Sequence, residues 1–163
     1  MDSIQGKGSK FSFTMPYIPA EKPQDKKKSV ESYKIDPKKD YKILIAEDNP
    51  VNLKLAMMYL KSYGLRNIIT ASDGVEAVSA FKEHQPDLVL MDVHMPVLDG
   101  LSATKEIREY EKNSGITEAS IIALTASAME GDREKCLDAG CNDYTTKPII
   151  KVELEKKIAQ NLK

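Results

Sequence analysis

Five polar residues, far apart in this chain, could act together in one chemical site. Each stands at or just after the carboxyl end of a segment whose composition predicts a β-strand. Apolar segments without alternation, such as Leu88–Met91, are typical of strands buried on both faces in a parallel sheet. Because open α/β sheets bind ligands at the carboxyl ends of their strands, we expect the five side chains to share one edge. They are Glu47, Asp48, Asp92, Thr125 and Lys147.

The three carboxylates in this set predict a site for a divalent cation. Without a compensating positive charge, their mutual repulsion would favour protonation of one of them. Mg²⁺ suits such a site because it prefers oxygen ligands and can share the phosphate oxygens of a substrate. Asp92 could also be a nucleophile that accepts a phosphoryl group, with Lys147 neutralising charge and Thr125 donating a hydrogen bond. Taken alone, Asp92 could equally be a turn or helix-capping residue.

Composition and charge narrow the class of protein further. The chain has 163 residues, of which 41% are hydrophobic and 30% charged, as in a soluble domain with a packed core. A net charge of −1 argues against binding to nucleic acid or to an acidic membrane surface. No segment is apolar enough for a membrane span or a signal peptide, and Cys136 and Cys141 are expected to be free thiols. These features predict a cytoplasmic protein.

The elements that must position the site begin at Tyr41, where predicted strands and helices start to alternate. The predicted strands cover residues 41–46, 67–71, 88–91, 119–125 and 143–146. Asn49, followed by a proline, predicts the start of the first helix, and we expect its inward face to include Val51, Leu55 and Met58. Five strands that alternate with five helices imply a parallel sheet with right-handed crossovers.

Capping patterns and apolar spacing predict the later helices. Asp73 with Glu76, and Ser127 with Glu130, each have the spacing of a capping box. A third helix is predicted over Gly100–Lys112, after a turn at the preceding aspartate. The closing helix should turn one apolar face to the core, with Leu154, Ile158 and Leu162.

Four separated segments give the chain from Tyr41 to Lys163 a clear resemblance to the receiver domain of two-component response regulators. The segments are Ile45–Pro50, Leu90–Pro96, Leu124–Ala126 and Thr146–Pro148, in that order. The resemblance implies a flavodoxin-like (βα)5 fold, a doubly wound parallel sheet with strand order 2-1-3-4-5. It also implies a domain that takes a phosphoryl group from the phosphohistidine of a histidine kinase or a histidine phosphotransfer protein.

The resemblance assigns a phosphoacceptor and a metal site to named residues. Asp92 would accept the phosphoryl group. Asp92, Asp48 and the backbone carbonyl of His94 would bind Mg²⁺, while Glu47 would act mainly through water. Lys147 would contact the phosphoryl group.

Further residues would read the phosphorylated state or set its lifetime. By the same resemblance, Thr125 would contact the phosphoryl group and Tyr144 would be the aromatic switch residue that repacks with it. His94 and Ser127 would tune how long the phosphoryl group persists, unless they are simply polar residues of exposed loops.

Residues 1–40 differ in composition from the rest and hold half of the eight prolines. Phe11 and Phe13 alternate with polar residues and predict a short strand. Gly6–Pro16 resembles the last glycine-containing stretch and final strand of a histidine kinase ATP-binding domain. We therefore expect a kinase remnant, a linker and a receiver, at the C-terminal end of a hybrid histidine kinase. We expect no output domain after Lys163, so that the signal would pass on by contact or phosphotransfer. The expected kinase remnant covers residues 1–16, the linker residues 17–40 and the receiver residues 41–163.

Two alternatives remain open to experiment. An aspartate-nucleophile phosphatase would need a second aspartate two residues after Asp92, where the chain has His94, and no residue is left to protonate a leaving group. A pseudo-receiver used only for binding would usually lack an acidic or lysine position, and all are present here. The catalytic activity expected of the chain is slow removal of its own phosphoryl group. The sequence does not indicate whether the chain forms dimers.

Overall fold

The computed structural model describes residues 2–4, 8–10, 14, 35–36, 39–126 and 130–162. The chain divides into two compact units, Met1–Glu31 and Ser32–Lys163. In the first unit, strands β1 (Asp2–Ile4) and β2 (Gly8–Lys10) pair in antiparallel fashion. The strand expected at Phe11 and Phe13 lies outside the described residues.

The described residues of the second unit form a parallel sheet of five strands, with five helices between and after them. The strand order is 2-1-3-4-5, counted in chain order within this unit, which confirms the predicted flavodoxin-like topology. Within the described residues, no helix is long and apolar enough to cross a membrane. The elements are β3 (Lys42–Ala46), α1 (Pro50–Ser62), β4 (Asn67–Ala71), α2 (Gly74–His84), β5 (Leu88–Asp92), α3 (Gly100–Ser114), β6 (Ser120–Thr125), α4 (Glu130–Asp138), β7 (Asp143–Thr146) and α5 (Lys151–Asn161).

The central strand β5 is buried along its whole length, as its uninterrupted apolar run predicts. Leu90 pairs with Ile45 on one side and Ile122 on the other, and all three face α1 and α5. Alternate residues such as Val89 and Met91 face the opposite layer, where α2 and α3 pack. This two-sided burial fixes the register of the strands and therefore the positions of the residues at their carboxyl ends.

The predicted inward face of α1 is wrong. Val51 and Met58 are exposed by 73% and 58%, whereas Ala56 and Leu60 of the same helix are buried. The helix carries apolar residues on more than one face, so helical spacing alone did not say which of them meets the sheet. The start of the helix was predicted correctly. Asn49 is its N-cap, and the Asn49 side chain accepts a hydrogen bond of 2.9 Å from the Val51 backbone N–H.

The caps of α2 and α3 show how local signals start these helices. Asp73 accepts a 2.8 Å hydrogen bond from the Glu76 backbone N–H, as expected, but the Glu76 carboxylate accepts from Ser72 instead of from Asp73. Those Ser72 hydrogen bonds lower the pKa of Glu76. Asp99, expected in a turn, caps α3 by accepting from the Ser102 backbone N–H at 2.9 Å. The Ser127 capping residue expected for α4 lies outside the described residues.

Candidate functional site

The carboxyl ends of the strands bring the predicted acidic residues together. Glu47 and Asp48 follow β3, and Asp92 is the last residue of the adjacent strand β5. Each of the three offers a carboxylate oxygen, and these oxygens lie within 4.8 Å of one another. Glu47 and Asp92 are each only 2% exposed, whereas Asp48 is open to solvent. The arrangement is a carboxylate pocket with one exposed member, which is accessible to an ion and to water.

Lys147 places a positive charge between the two buried carboxylates. Its Nζ atom lies 2.6 Å from Oδ2 of Asp92 and 2.7 Å from Oε2 of Glu47. Burial by itself would lower the pKa of Lys147, but the hydrogen bonds and negative charges of Asp92 and Glu47 outweigh it and raise that pKa. Lys147 is therefore held as an ammonium group beside Asp92.

The two oxygens of Glu47 have different surroundings. Oε1 accepts hydrogen bonds from the Asn52 side chain at 2.9 Å and from the Asn49 backbone N–H at 3.4 Å. Oε2 is buried and lies 2.7 Å from the Lys147 ammonium, an ion pair that leaves part of its acceptor capacity available. A buried carboxylate oxygen with unused acceptor capacity, next to two further carboxylates, fits a hard cation such as Mg²⁺.

The loop after Asp92 is held close to the site by two glycines that the sequence analysis did not identify. Gly100 donates a 3.0 Å hydrogen bond to the Val93 carbonyl, and a Cβ atom at Gly100 would collide with the carbonyl oxygen of Asp92. Gly74 donates to the Leu98 carbonyl at 3.1 Å, where a side chain would also collide. In the sequence, each of these glycines directly follows an aspartate that caps a helix. A capping pattern does not require glycine at the first helical position, so its presence there was the signal that could have identified both residues.

His94 lies in the same loop, and its main chain contacts the phosphoacceptor candidate. The His94 backbone N–H donates a 3.1 Å hydrogen bond to Oδ1 of Asp92. Its imidazole is exposed. Asp92 therefore has a main-chain donor on one oxygen and the Lys147 ammonium on the other.

Thr125 and Tyr144 occupy neighbouring strands, β6 and β7. Thr125 is buried at the end of β6, and its carbonyl accepts a 2.7 Å hydrogen bond from the Lys147 backbone N–H. Tyr144 is half-buried opposite Ala123, and Nζ of Lys157 lies 5.1 Å from the centre of its ring. Thr125 thus lies at the same sheet edge as Lys147, while Tyr144 lies two residues before the end of β7.

The fold and the site define a class of protein, and comparison with known proteins identifies the same class. The model of the response regulator receiver domain matches residues 43–159, and the chain belongs to this family. It is a receiver domain of the kind that acts in two-component phosphorelays.

The relatives that this chain matches include hybrid histidine kinases and response regulators. Hybrid signal transduction histidine kinase M of Dictyostelium discoideum is 40% identical over 124 residues, which cover 73% of this chain and 5% of the kinase. This chain thus spans a small part of that relative.

Two solved structures resemble the fold closely. The first is the co-crystal structure of the Saccharomyces cerevisiae phosphotransfer protein Ypd1 and the receiver domain of Ssk1, with 38% identity and a TM-score of 0.71 over 76% of this chain and 89% of that chain. The second is the receiver domain of sensor histidine kinase PA1611 from Pseudomonas aeruginosa, with magnesium in its active site cleft. It has 45% identity and a TM-score of 0.66 over 76% of this chain and 98% of that chain.

Proposed function

We propose that Asp92 accepts a phosphoryl group from a phosphohistidine and that the domain thereby switches a partner-binding surface. The observation that carries the proposal is the pairing of Asp92 with the Lys147 ammonium inside a pocket of three carboxylates. Such a pocket has a nucleophile, a fixed cation and oxygen ligands for a metal at one sheet edge. Phosphoryl transfer needs little else, because it depends mainly on positioning and on neutralisation of charge.

The chain's own residues account for the transfer step. A carboxylate oxygen of Asp92 forms a bond to phosphorus as the bond from phosphorus to the donor imidazole breaks, and the imidazole takes up a proton. Lys147 offsets the negative charge that gathers on the phosphoryl oxygens, and the Thr125 hydroxyl donates a hydrogen bond to one of them. The His94 backbone N–H, already bonded to Asp92, holds the carboxylate in orientation.

A magnesium site is the second part of the proposal. Asp48, Asp92 and the backbone carbonyl of His94 would hold the ion, with Glu47 acting mainly through water. When bound, Mg²⁺ supplies positive charge close to the transferring phosphoryl group. Support comes from the carboxylate oxygens within 4.8 Å of one another and from the magnesium bound by the PA1611 receiver.

The partner of the transfer would dock on an exposed apolar stripe of α1. Val51 and Met58 lie on one face of that helix and are largely exposed, and Val51 is its second residue, three positions after Asp48. Ile150 and Val152, which follow Lys147 closely in sequence, are exposed as well. Apolar residues exposed beside a phosphoacceptor suit the helices of a histidine phosphotransfer protein. The Ssk1 receiver was crystallised together with such a protein.

Phosphorylation would then be read through β6 and β7. The added charge would draw the Thr125 hydroxyl toward the phosphoryl group, and Tyr144 would repack into the space beside it. The surface of these strands and of α4 would therefore have two arrangements, whose populations the phosphoryl group shifts.

The parent protein is proposed to be a hybrid histidine kinase. Residues 1–16 would be the end of its ATP-binding domain, residues 17–40 a linker and residues 41–163 the receiver. The support is the resemblance of Gly6–Pro16 to a kinase segment, together with the identity to the Dictyostelium kinase.

Phosphoryl transfer to the purified chain tests the proposed function. The chain is incubated with Mg²⁺ and a phosphorylated histidine phosphotransfer protein or acetyl phosphate, and the label on the chain is measured. Asp92→Asn should take up none, while Asp138→Asn, an exposed carboxylate change at the end of α4, should label like the wild type. Equal labelling of Asp92→Asn and wild type would overturn the proposal.

A further inference from the structure

Asn52 contacts the site without being one of its expected members. It lies in the first turn of α1, is half-buried and donates a 2.9 Å hydrogen bond from its amide to Oε1 of Glu47. Among the described residues, the other contact of Oε1 is the longer one from the Asn49 backbone N–H, at 3.4 Å. Asn52 is therefore the principal partner of this oxygen.

The position of Oε1 determines where the second oxygen of Glu47 points. With Oε1 held by the amide, Oε2 lies at the buried end of the carboxylate, 2.7 Å from Nζ of Lys147. Rotation about the last bond of a glutamate side chain is otherwise broad, so the Asn52 amide on one oxygen and the Lys147 ammonium on the other together restrict the orientation of the carboxylate. The donor is neutral and adds no charge to the carboxylate pocket.

We infer that Asn52 is a positioning residue that presents Oε2 of Glu47 to the cation site and thereby sets the affinity for Mg²⁺. The inference rests on the magnesium site of the proposed function. Groups that orient metal-binding carboxylates typically change metal affinity by about 10- to 100-fold when removed. Because Glu47 is placed to act through water, the lower end of that range, about tenfold, is expected here. Among the described residues, the side-chain hydrogen bond of Asn52 goes to Glu47 and not to Asp92 or Lys147, so the transfer step itself should be unchanged once the metal site is filled.

The test compares Mg²⁺ binding by four forms of the full chain, measured by isothermal titration calorimetry. Asn52→Leu removes the donor at nearly constant volume, and Asn52→Ala removes it without adding bulk. Both should weaken Mg²⁺ binding by about tenfold. Ser62→Ala, whose hydroxyl donates to the Tyr59 carbonyl at the far end of the same helix, is the matched control and should bind like the wild type.

A second measurement separates positioning from damage to the fold. The rate of labelling by acetyl phosphate is followed as Mg²⁺ is varied, with circular dichroism confirming that each variant is folded. In both Asn52 variants the half-saturating Mg²⁺ concentration should rise by about tenfold while the maximal rate stays that of the wild type.

The outcomes distinguish this inference from the proposed function. Wild-type Mg²⁺ affinity in both Asn52 variants would overturn the inference alone, as would a lower maximal rate with unchanged half-saturation. Absence of Mg²⁺ binding by the wild-type chain itself would overturn the magnesium site and the inference together.

Discussion

The Nζ atom of Lys147 lies 2.6 Å from Oδ2 of Asp92, although the two residues are 55 positions apart in sequence. Asp92 ends β5 and Lys147 follows β7, with β6 between the two strands. The lysine side chain therefore crosses one strand to reach the aspartate. This contact gives the phosphoacceptor candidate a fixed positive charge before any metal or phosphoryl group binds.

Replacement of Lys147 by Met should weaken both stability and labelling. Asp92 and Glu47 would remain buried without their cation, which should lower the free energy of unfolding by about 1–3 kcal/mol because Lys147 is partly exposed. Loss of charge neutralisation should slow labelling by acetyl phosphate by about 100-fold. Urea unfolding with and without Mg²⁺ checks the first effect, and saturating Mg²⁺ should recover part of the lost stability.

The control for Lys147 is Lys156→Met, an exposed lysine of α5, which should unfold and label like the wild type. If Lys147→Met labelled at the wild-type rate, the ammonium would have no part in the transfer.

Gly100→Ala should damage the site through backbone crowding. A Cβ atom there would collide with the Asp92 carbonyl, so the loop must move away from the strand end. We expect a loss of about 2–4 kcal/mol in the free energy of unfolding, comparable to other severe steric substitutions. Gly131→Ala in α4 is the matched control, because its added carbon would have no described atom within 4 Å apart from its chain neighbours and the nearby backbone of its own helix. It should be neutral or gain up to about 1 kcal/mol, and equal effects at the two glycines would contradict the crowding argument.

Val97→Gly should stabilise the chain. Val97 is 84% exposed and has a φ of 65°, and the Leu98 backbone N–H donates to the Pro96 carbonyl at 2.7 Å across it. A β-branched residue in this left-handed turn is strained, so glycine should add about 0.5–2 kcal/mol to the free energy of unfolding.

Gly115, the C-terminal cap of α3, also has a positive φ, of 64°. Replacing this glycine by a residue with a side chain is the reverse of Val97→Gly and serves as its comparison. Gly115→Ala should cost about 1 kcal/mol. Urea unfolding measures both variants, and a destabilised Val97→Gly would mean that its exposed side chain makes a contact worth more than the strain.

The pH dependence of stability should reveal the buried thiol of Cys141. Burial raises its pKa from 9.0 to about 11. Between these values the unfolded thiol releases its proton and the folded one retains it, so stability is complete below pH 9 and falls as pH rises toward 11. The loss should be up to about 2–3 kcal/mol. The urea midpoints at pH 8 and pH 10.5 should therefore lie closer together in Cys141→Ala than in the wild type. If the midpoint changed between the two pH values by the same amount in both proteins, the assignment would be refuted.

The sequence predicted some elements of the fold correctly and one helix face wrongly. The strand Asp143–Thr146 and the start of α1 were predicted at their observed bounds, because a short strand-like run stopped by Pro148 and an asparagine followed by proline are local signals. The buried face of α1 was predicted wrongly, since the choice between apolar faces depends on where the helix meets the sheet. The roles expected of Glu47, Asp92, Thr125 and Lys147 remain predictions, although their close approach is now observed.

The alternation of strands and helices, the family and the chemistry available at each strand end can be predicted from the sequence alone. These follow from short-range information: apolar periodicity, capping residues and the side chains that end each run. The three-dimensional structure was needed to show that Lys147 reaches both Glu47 and Asp92, that Asn52 holds one oxygen of Glu47 and that Gly100 must lack a side chain. Such contacts join distant segments, and they depend on the order and register in which the strands pack.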